Sequence, residues 1–199
     1  MKTGPRYKRA RRLGADIFPK TQSAKFALRM GKGIVKGYGR SEFGAQLKEK
    51  QRARALYGIM ERQFARYVKN AIGKKTIRDD EALYVALETR LDNVIYRLGI
   101  APSRQAARQY VSHGHFTVNG KRVTIPSYGV CTGDVIRLRK ASEGKALFLN
   151  LKDTLRDAES PSWVRFDNQK NEATVVGMPK LVRAELPFNI SAILEFYRR

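Results

Sequence analysis

Residues 103–125, SRQAARQYVSHGHFTVNGKRVTI, place a helix and a hairpin back to back, and the rest of the chain is read outward from them. Ser103 suits an N-cap, since its hydroxyl can accept from a first-turn amide, and Ala106, Ala107, Tyr110 and Val111 recur as one apolar face. Gly114, free to turn left-handed, stops the helix. Phe116 and Val118 then alternate with Thr117, and Val123 and Ile125 resume the alternation after Asn119-Gly120, a two-residue turn whose members both tolerate positive φ. The other face holds Arg104, Arg108, His113, His115, Lys121 and Arg122 with no carboxylate among them, which makes a basic edge on a compact scaffold.

That edge belongs to a chain of 199 residues with 40 Lys plus Arg against 18 Asp plus Glu, a formal charge of +22. Such a charge repels itself in a compact state unless a polyanion neutralises it, which favours nucleic acid over an anionic membrane surface. A hydrophobic content of 42% supports a real core, and the length suits one or two modest domains. Cys131 is the single cysteine and there are two histidines, too few for an internal disulfide or a cysteine zinc site, so neither metal nor cofactor is expected. No apolar run approaches the roughly 20 residues of a membrane span, and the first residues lead into no signal-peptide core. A soluble intracellular protein without membrane contact is expected. Residues 1–75 hold 21 basic and 4 acidic side chains against 19 and 14 in residues 76–199, so the first third should supply most of the grip on the polyanion.

Residues 1–40 read as a basic arm carrying Arg6, Lys8, Arg9, Arg11 and Arg12, then Lys20, Lys25, Arg29, Lys32, Lys36 and Arg40, with Asp16 the only acid. Leu13, Ile17, Phe18, Phe26 and Leu28 are too scattered for a self-sufficient core, so the arm is either a disordered tail or a segment that orders on its partner. The glycine-rich stretch at 31–39 suits close approach of backbone to phosphate but lacks the Gly-Lys-Ser/Thr ending of a nucleotide loop. Ser41 caps a helix with Phe43, Leu47, Ala55 and Leu56 apolar and Lys48, Lys50, Arg52 and Arg54 on its other faces, interrupted at Gly58. A second stripe follows in Met60, Phe64, Tyr67, Val68 and Ala71, with Arg62, Arg66 and Lys69 off it; these aromatics read as core. From 81 to 98, Tyr84, Leu87, Leu91, Val94, Ile95 and Leu98 fit one helical face, as one helix or as two meeting near Thr89.

Beyond the hairpin, Thr132-Gly133-Asp134 turns into a strand over 135–138, and Arg137, Arg139 and Lys140 extend the basic edge. Leu147, Leu151 and Leu155 suggest a helix over 143–159, and residues 163–166 and 173–176 read as two strands. Asn189 caps a last helix with Ile190, Ile193, Leu194 and Tyr197 on one face. That face and the stripes at 41–98 need partners, so the last helix should return to them while 100–140 forms a separate lobe.

No set of residues assembles a catalytic site, and neither an enzyme nor a small-molecule substrate is expected. His113 and His115 lack a third metal ligand; they are either satisfied structural histidines or contacts to phosphate or ribose. Asp92 can orient Arg90 or Arg97. Lys and Arg supply affinity through phosphates and counterion release, while rigid helices and a hairpin fit a basic surface to one backbone path, which favours folded RNA. Charge alone does not exclude DNA, but a hairpin directly after the helix pair is not the usual continuation of a helix-turn-helix.

At residues 91–136 the sequence resembles the S-four RNA-binding domain, through Leu91-Asp92-Asn93, Tyr96-Arg97-Leu98-Gly99, Ser103-Arg104, Ala107-Arg108-Gln109, His113-Gly114-His115, Val118-Asn119-Gly120, Ile125-Pro126-Ser127-Tyr128 and Gly133-Asp134. Thr3-Gly4-Pro5-Arg6, Ser41-Glu42-Phe43-Gly44, Tyr57-Gly58, Glu61-Arg62-Gln63-Phe64, Pro161-Ser162-Trp163 and Glu195-Phe196-Tyr197 extend the resemblance, over nearly the whole chain, to the small-subunit ribosomal protein S-four family. The expected fold is α+β and mostly helical: a basic arm (1–40), a helical lobe (41–90 with 160–199) and an inserted S-four domain of a helix pair and a small antiparallel sheet (91–159). The resemblance implies a primary ribosomal RNA binder that nucleates assembly of the small-subunit body. It implies a place in the cytoplasmic ribosome, with an organellar ribosome left open, beside the S-five protein where mRNA enters, and a bearing on decoding accuracy. The rivals are an RNA-modification enzyme of the pseudouridine synthase type and an RNA chaperone carrying the same domain. Many relatives carry a cysteine zinc knot near the N-terminus, whereas residues 1–40 here hold no cysteine. The residues expected on RNA are Arg6, Lys8, Arg9, Arg11, Arg12, Lys32, Lys36, Arg40, Lys48, Arg52, Arg54, Arg62, Arg66, Arg104, Arg108, His113, His115, Asn119, Lys121 and Arg122.

Overall fold

In a computed structural model of the chain, the described residues are 5–30, 41–73, 77–149, 155, 160–167 and 170–199. The chain divides into two compact units, residues 1–83 with 181–199 and residues 84–180.

The first unit contains α1 (Arg6–Leu13), α2 (Ala24–Met30), α3 (Glu42–Tyr57), α4 (Glu61–Ile72), the start of α5 (Asp79–Glu88) and the C-terminal helix, α9 (Ile190–Arg198). Residues 5–30 are not the coreless arm expected. Ala10, Leu13, Ile17, Phe18 and Phe26 are buried together with Ala55 of α3, and the Thr21 hydroxyl donates to the carbonyls of Ala15 (2.6 Å) and Phe18 (2.8 Å). Two 3-10 turns, Ala15–Ile17 and Pro19–Thr21, break the segment into pieces that contribute one or two side chains each, so no single helical period runs through it. The glycine-rich stretch at 31–39 lies outside the described residues.

Ser41 caps α3, its Oγ accepting from the Gly44 amide at 3.2 Å, and Gly58 ends the helix in the left-handed conformation. The buried face of α3 departs from expectation: Gln46, Lys50, Ala53 and Tyr57 are covered while Phe43 is half exposed. The reason is α9, which returns to α3 and α4 and brings partners for the polar members of that stripe. Gln46 Nε2 donates to Glu42 (3.0 Å) and Glu195 (3.2 Å), and Lys50 Nζ lies 3.1 Å from Glu61 Oε1 and 4.2 Å above the Phe196 ring. Asn189 caps α9 by accepting from the Ser191 and Ala192 amides. In α4 the expected stripe is buried at Phe64, Val68 and Ala71.

The second unit contains the end of α5, α6 (Leu91–Arg97), α7 (Arg104–Ser112), β1 (Phe116–Val118), β2 (Lys121–Val123), β3 (Val135–Leu138), α8 (Lys140–Glu143), β4 (Val164–Asp167) and β5 (Glu172–Val175). Residues 81–98 are thus two helices parted at Thr89-Arg90. There the chain turns back to the loop after the hairpin: the Leu91 amide donates to Tyr128 and the Val130 amide to Thr89. The strands form one antiparallel sheet in the order β2-β1-β3-β5-β4. The β4–β5 hairpin therefore does not join the helical lobe as expected. β3 has an unpaired edge that would leave its backbone groups unsatisfied, and β5 takes it, with Ile136 opposite Ala173. Trp163, Val164, Ala173 and Val175 consequently share a core with Leu91, Val94, Ile95, Ala107, Val111, Phe116 and Ile136. This compact unit spans 84–180 rather than 91–159. The helix expected over 143–159 does not begin there, because α8 ends at Glu143 and the chain turns through 144–149, burying Phe148 and leaving Leu147 exposed. Leu155 is helical and buried, and the other residues from 150 to 159 lie outside the described set.

Candidate nucleic-acid interface

The helix-and-hairpin stretch folds as its sequence suggests. Ser103 Oγ accepts from the Ala106 amide at 3.2 Å, Gly114 has φ +70°, and Asn119 and Gly120 have φ +51° and +77°. Asn119, though exposed, is engaged within the fold. Its Oδ1 accepts from the Val135 amide (2.9 Å) and its Nδ2 donates to Asp134 (2.7 Å), tying the turn to β3. Gly114 admits the Arg122 side chain where any other residue would place a Cβ, which would stand 2.2 Å from Arg122 Nε. Arg122 also donates to the His113 carbonyl at 3.4 Å.

The two histidines part company. His113 is exposed, whereas His115 is buried, with Nδ1 2.9 Å from the Ser142 hydroxyl and its ring edge-on to Phe148. Burial first, then Lys145, His113, Arg139 and Arg122, hold its pKa below the ordinary histidine value. It is therefore a structural, neutral histidine at neutral pH, and its placement on an RNA-facing surface is corrected.

The basic edge, free of acids along its own stretch, is underlain by two carboxylates from the preceding helices. Glu88, 1% exposed, accepts from Arg97 Nε (2.9 Å) and Nη2 (3.2 Å). Asn93 Nδ2 donates to the Glu88 carboxylate and to the Glu88 carbonyl, each at 3.0 Å, and Asn93 Oδ1 accepts from Arg104 Nε at 2.8 Å. The Arg104 guanidinium lies 4.4 Å over the Tyr96 ring. Asp92 is gripped two-pronged by the fully buried Arg90, at 3.0 and 2.6 Å, with Arg108 Nη1 at 3.8 Å. Burial raises the Asp92 carboxyl above its ordinary value, against the opposing pull of Arg90 and Arg108. Of the two partners considered for Asp92, Arg90 is the one found; Arg97 goes to Glu88. Glu88, Asn93 and Tyr96 are absent from the sequence-based set. The available signal was Glu88 itself, a negative charge at the C-terminal end of a helix, where the dipole disfavours it unless something else holds it.

In the first unit, Arg6, Lys8, Arg11 and Arg12 of α1 and Arg62 and Arg66 of α4 are exposed, and Arg9 and Lys48 are half-buried. Burial and the neighbouring Arg54 charge lower the Arg9 pKa. Arg52 and Arg54 are engaged within the fold, Arg52 with Asp16 (2.7 Å) and Glu49 (3.4 Å), Arg54 with Glu61 (2.7 Å). Both pair acids of their own unit. Lys32, Lys36 and Arg40 lie outside the described residues. Among the described residues, no three His, Cys, Asp or Glu side chains converge as a metal would require.

The chemistry on offer is therefore that of fixed guanidiniums and exposed lysines on rigid elements, suited to a phosphate backbone. The family model described as the Ribosomal protein S4/S9 N-terminal domain matches residues 1–88, and that of the S4 domain matches residues 89–136. A relative from Cutibacterium acnes, named small ribosomal subunit protein uS4, is 41% identical over 200 residues, covering 99% of this chain and 98% of its own. Relatives of the same name from Chlorobium phaeovibrioides (39% over 194 residues; 96% and 95% covered) and Acetivibrio thermocellus (46% over 159 residues; 80% and 76%) are similar in the same way. With identity at this level running nearly from end to end and both domain families matched in order, the chain belongs to the uS4 family of small ribosomal subunit proteins.

Proposed function

We propose that this chain is a structural, non-catalytic constituent of the small ribosomal subunit, bound to its ribosomal RNA. The observation that carries the reading is near full-length identity to proteins named for that subunit, in a chain of charge +22. The exposed arginines and lysines of α1 and α4 contact phosphates in one unit, and Arg97, Arg104, Arg108, His113, Lys121 and Arg122 do so in the other. Phosphate contacts of this kind position a protein on RNA without reading bases, and the shape of the two surfaces selects the RNA fold they fit. The finer roles belong to the same proposal: early binding that nucleates the subunit body, a place beside the S-five protein where mRNA enters, and an influence on decoding accuracy.

Sedimentation of cell extract tests the reading. Quantitative mass spectrometry across the gradient should find one copy per small subunit, and absence from the small-subunit peak would sink the proposal. For the nucleating role, leaving this protein out of a reconstitution should reduce later protein uptake by the subunit body; unaffected uptake would remove that role while leaving the ribosomal one.

A further inference from the structure

Glu88 closes α5 at a point where a negative charge opposes the helix dipole, and it is almost wholly buried, a costly site for a carboxylate without partners. Its partners are Arg97 and Asn93. The Glu88 carboxylate and the Glu88 main-chain carbonyl both only accept hydrogen bonds, so both draw the Asn93 amino group, and the Asn93 carbonyl oxygen is thereby presented to Arg104 Nε at 2.8 Å. The guanidinium of Arg104 then rests 4.4 Å over Tyr96. One buried acid thus sets the direction of two arginines, one directly and one through an amide.

We propose that Glu88 and Asn93 are positioning residues for RNA binding: from beneath the surface they fix the direction in which Arg97 and Arg104 meet the sugar-phosphate backbone. This rests on the RNA-binding reading of the α6–α7 edge given above. A long cationic side chain loses rotamer freedom when it binds, and a guanidinium already held by its Nε has lost much of it beforehand. The sign of the effect separates this role from bulk electrostatics. Glu88→Gln makes the chain more positive, which by charge alone would tighten its hold on RNA; loss of positioning weakens it.

Filter-binding titrations of the full chain with small-subunit ribosomal RNA test the inference. Glu88→Gln should weaken binding by about 2- to 10-fold, the effect of freeing Arg97 and loosening Arg104, whose Asn93 anchor keeps only the main-chain carbonyl of residue 88. The dependence of log K on log salt should keep its wild-type slope, since every cation remains. In the Arg97→Ala/Arg104→Ala background the same substitution should change nothing further. Wild-type affinity for Glu88→Gln, or an equal loss in the background lacking both arginines, would overturn the inference, the second because Glu88 would then act only through the fold. Should Glu88→Gln not fold, Asn93→Ala, which keeps the Glu88–Arg97 pair, is compared with and without Arg104→Ala in the same way. If the double arginine variant itself binds like wild type, the RNA-binding reading of this edge falls, and positioning with it.

Discussion

His115 shows how one side chain changes meaning between sequence and structure. Two residues from an exposed histidine and flanked by cations, it has the look of a phosphate ligand, yet it is packed against Phe148 and bonded to Ser142. Its folded pKa lies below the ordinary value, so protonation is disfavoured in the fold. The stability it contributes is complete above the unfolded histidine pKa of about 6.5 and is lost as pH falls through that value toward the folded one. The chain should therefore lose stability as pH falls below about 6.5, and His115→Gln should flatten that dependence in denaturant titrations; equal pH slopes in the two proteins would refute it. Gly114 and Gly120 offer a second comparison, since both have positive φ but only Gly114 has Arg122 in the space a Cβ would fill. Gly120→Ala should cost roughly 1–2 kcal/mol for the left-handed backbone. Gly114→Ala should cost about the same for its backbone and in addition displace the exposed Arg122 side chain, measurable as a similar drop in melting temperature with a weaker hold on RNA.

Among the described elements, α9 docks through polar chemistry as well as through the buried Ile190, Ile193 and Leu194. Its docking face meets Lys50, whose ammonium is held by Glu61 and by the faces of Phe196 and Tyr197, while the Tyr197 hydroxyl donates to Glu61 at 2.7 Å. Burial alone would raise the Glu61 carboxyl, but hydrogen bonds from Tyr197 and Lys50 and the Arg54 charge hold it below its ordinary value. Asp80 is likewise depressed: Arg183, its backbone bond from Glu81 and Arg78 outweigh burial. Carboxylates of this kind contribute stability above their unfolded pKa that is lost as pH falls through the folded one, so α9 should loosen below about pH 4, the ordinary carboxylate range. Hydrogen exchange of the α9 amides checks it, and protection unchanged down to about pH 3 would contradict the account. Lys50→Met keeps the volume but removes the ion pair and the cation–π contacts, with an expected loss of about 2 kcal/mol. The end pairs Arg198–Asp79 and Arg199–Glu42 are more exposed and should each contribute about 0–1 kcal/mol.

For the whole molecule the decisive quantity is charge and where the fold leaves it. Replacing Arg6, Lys8, Arg11 and Arg12 of α1 together by Ala should leave the melting temperature nearly unchanged, because all four are exposed. It should weaken ribosomal RNA binding and flatten its salt dependence by about 3 units of slope, at roughly 0.7–0.9 for each phosphate no longer neutralised. An unaltered slope would remove α1 from the interface. Much of the architecture was legible beforehand: the caps at Ser41, Ser103 and Asn189, the Asn119-Gly120 turn, the buried stripe of α4 and the return of the last helix all follow from local periodicity and turn chemistry. Three features were not, and all depend on partners distant in the chain. Residues 5–30 acquire a core because short pieces converge with Ala55, the polar face of α3 is buried because α9 supplies Glu195 and Phe196, and β4–β5 joins the sheet because β3 has an edge to fill. The candidate site divides in the same way. By itself the sequence determined the polyanionic class of the partner and the family, since charge and motif are properties of the chain. Only the tertiary structure decided which cation meets which carboxylate: Asp92 had two candidate arginines and takes Arg90, while Glu61 and Glu88 reach Arg54 and Arg97 across turns of the chain that no sequence pattern reports.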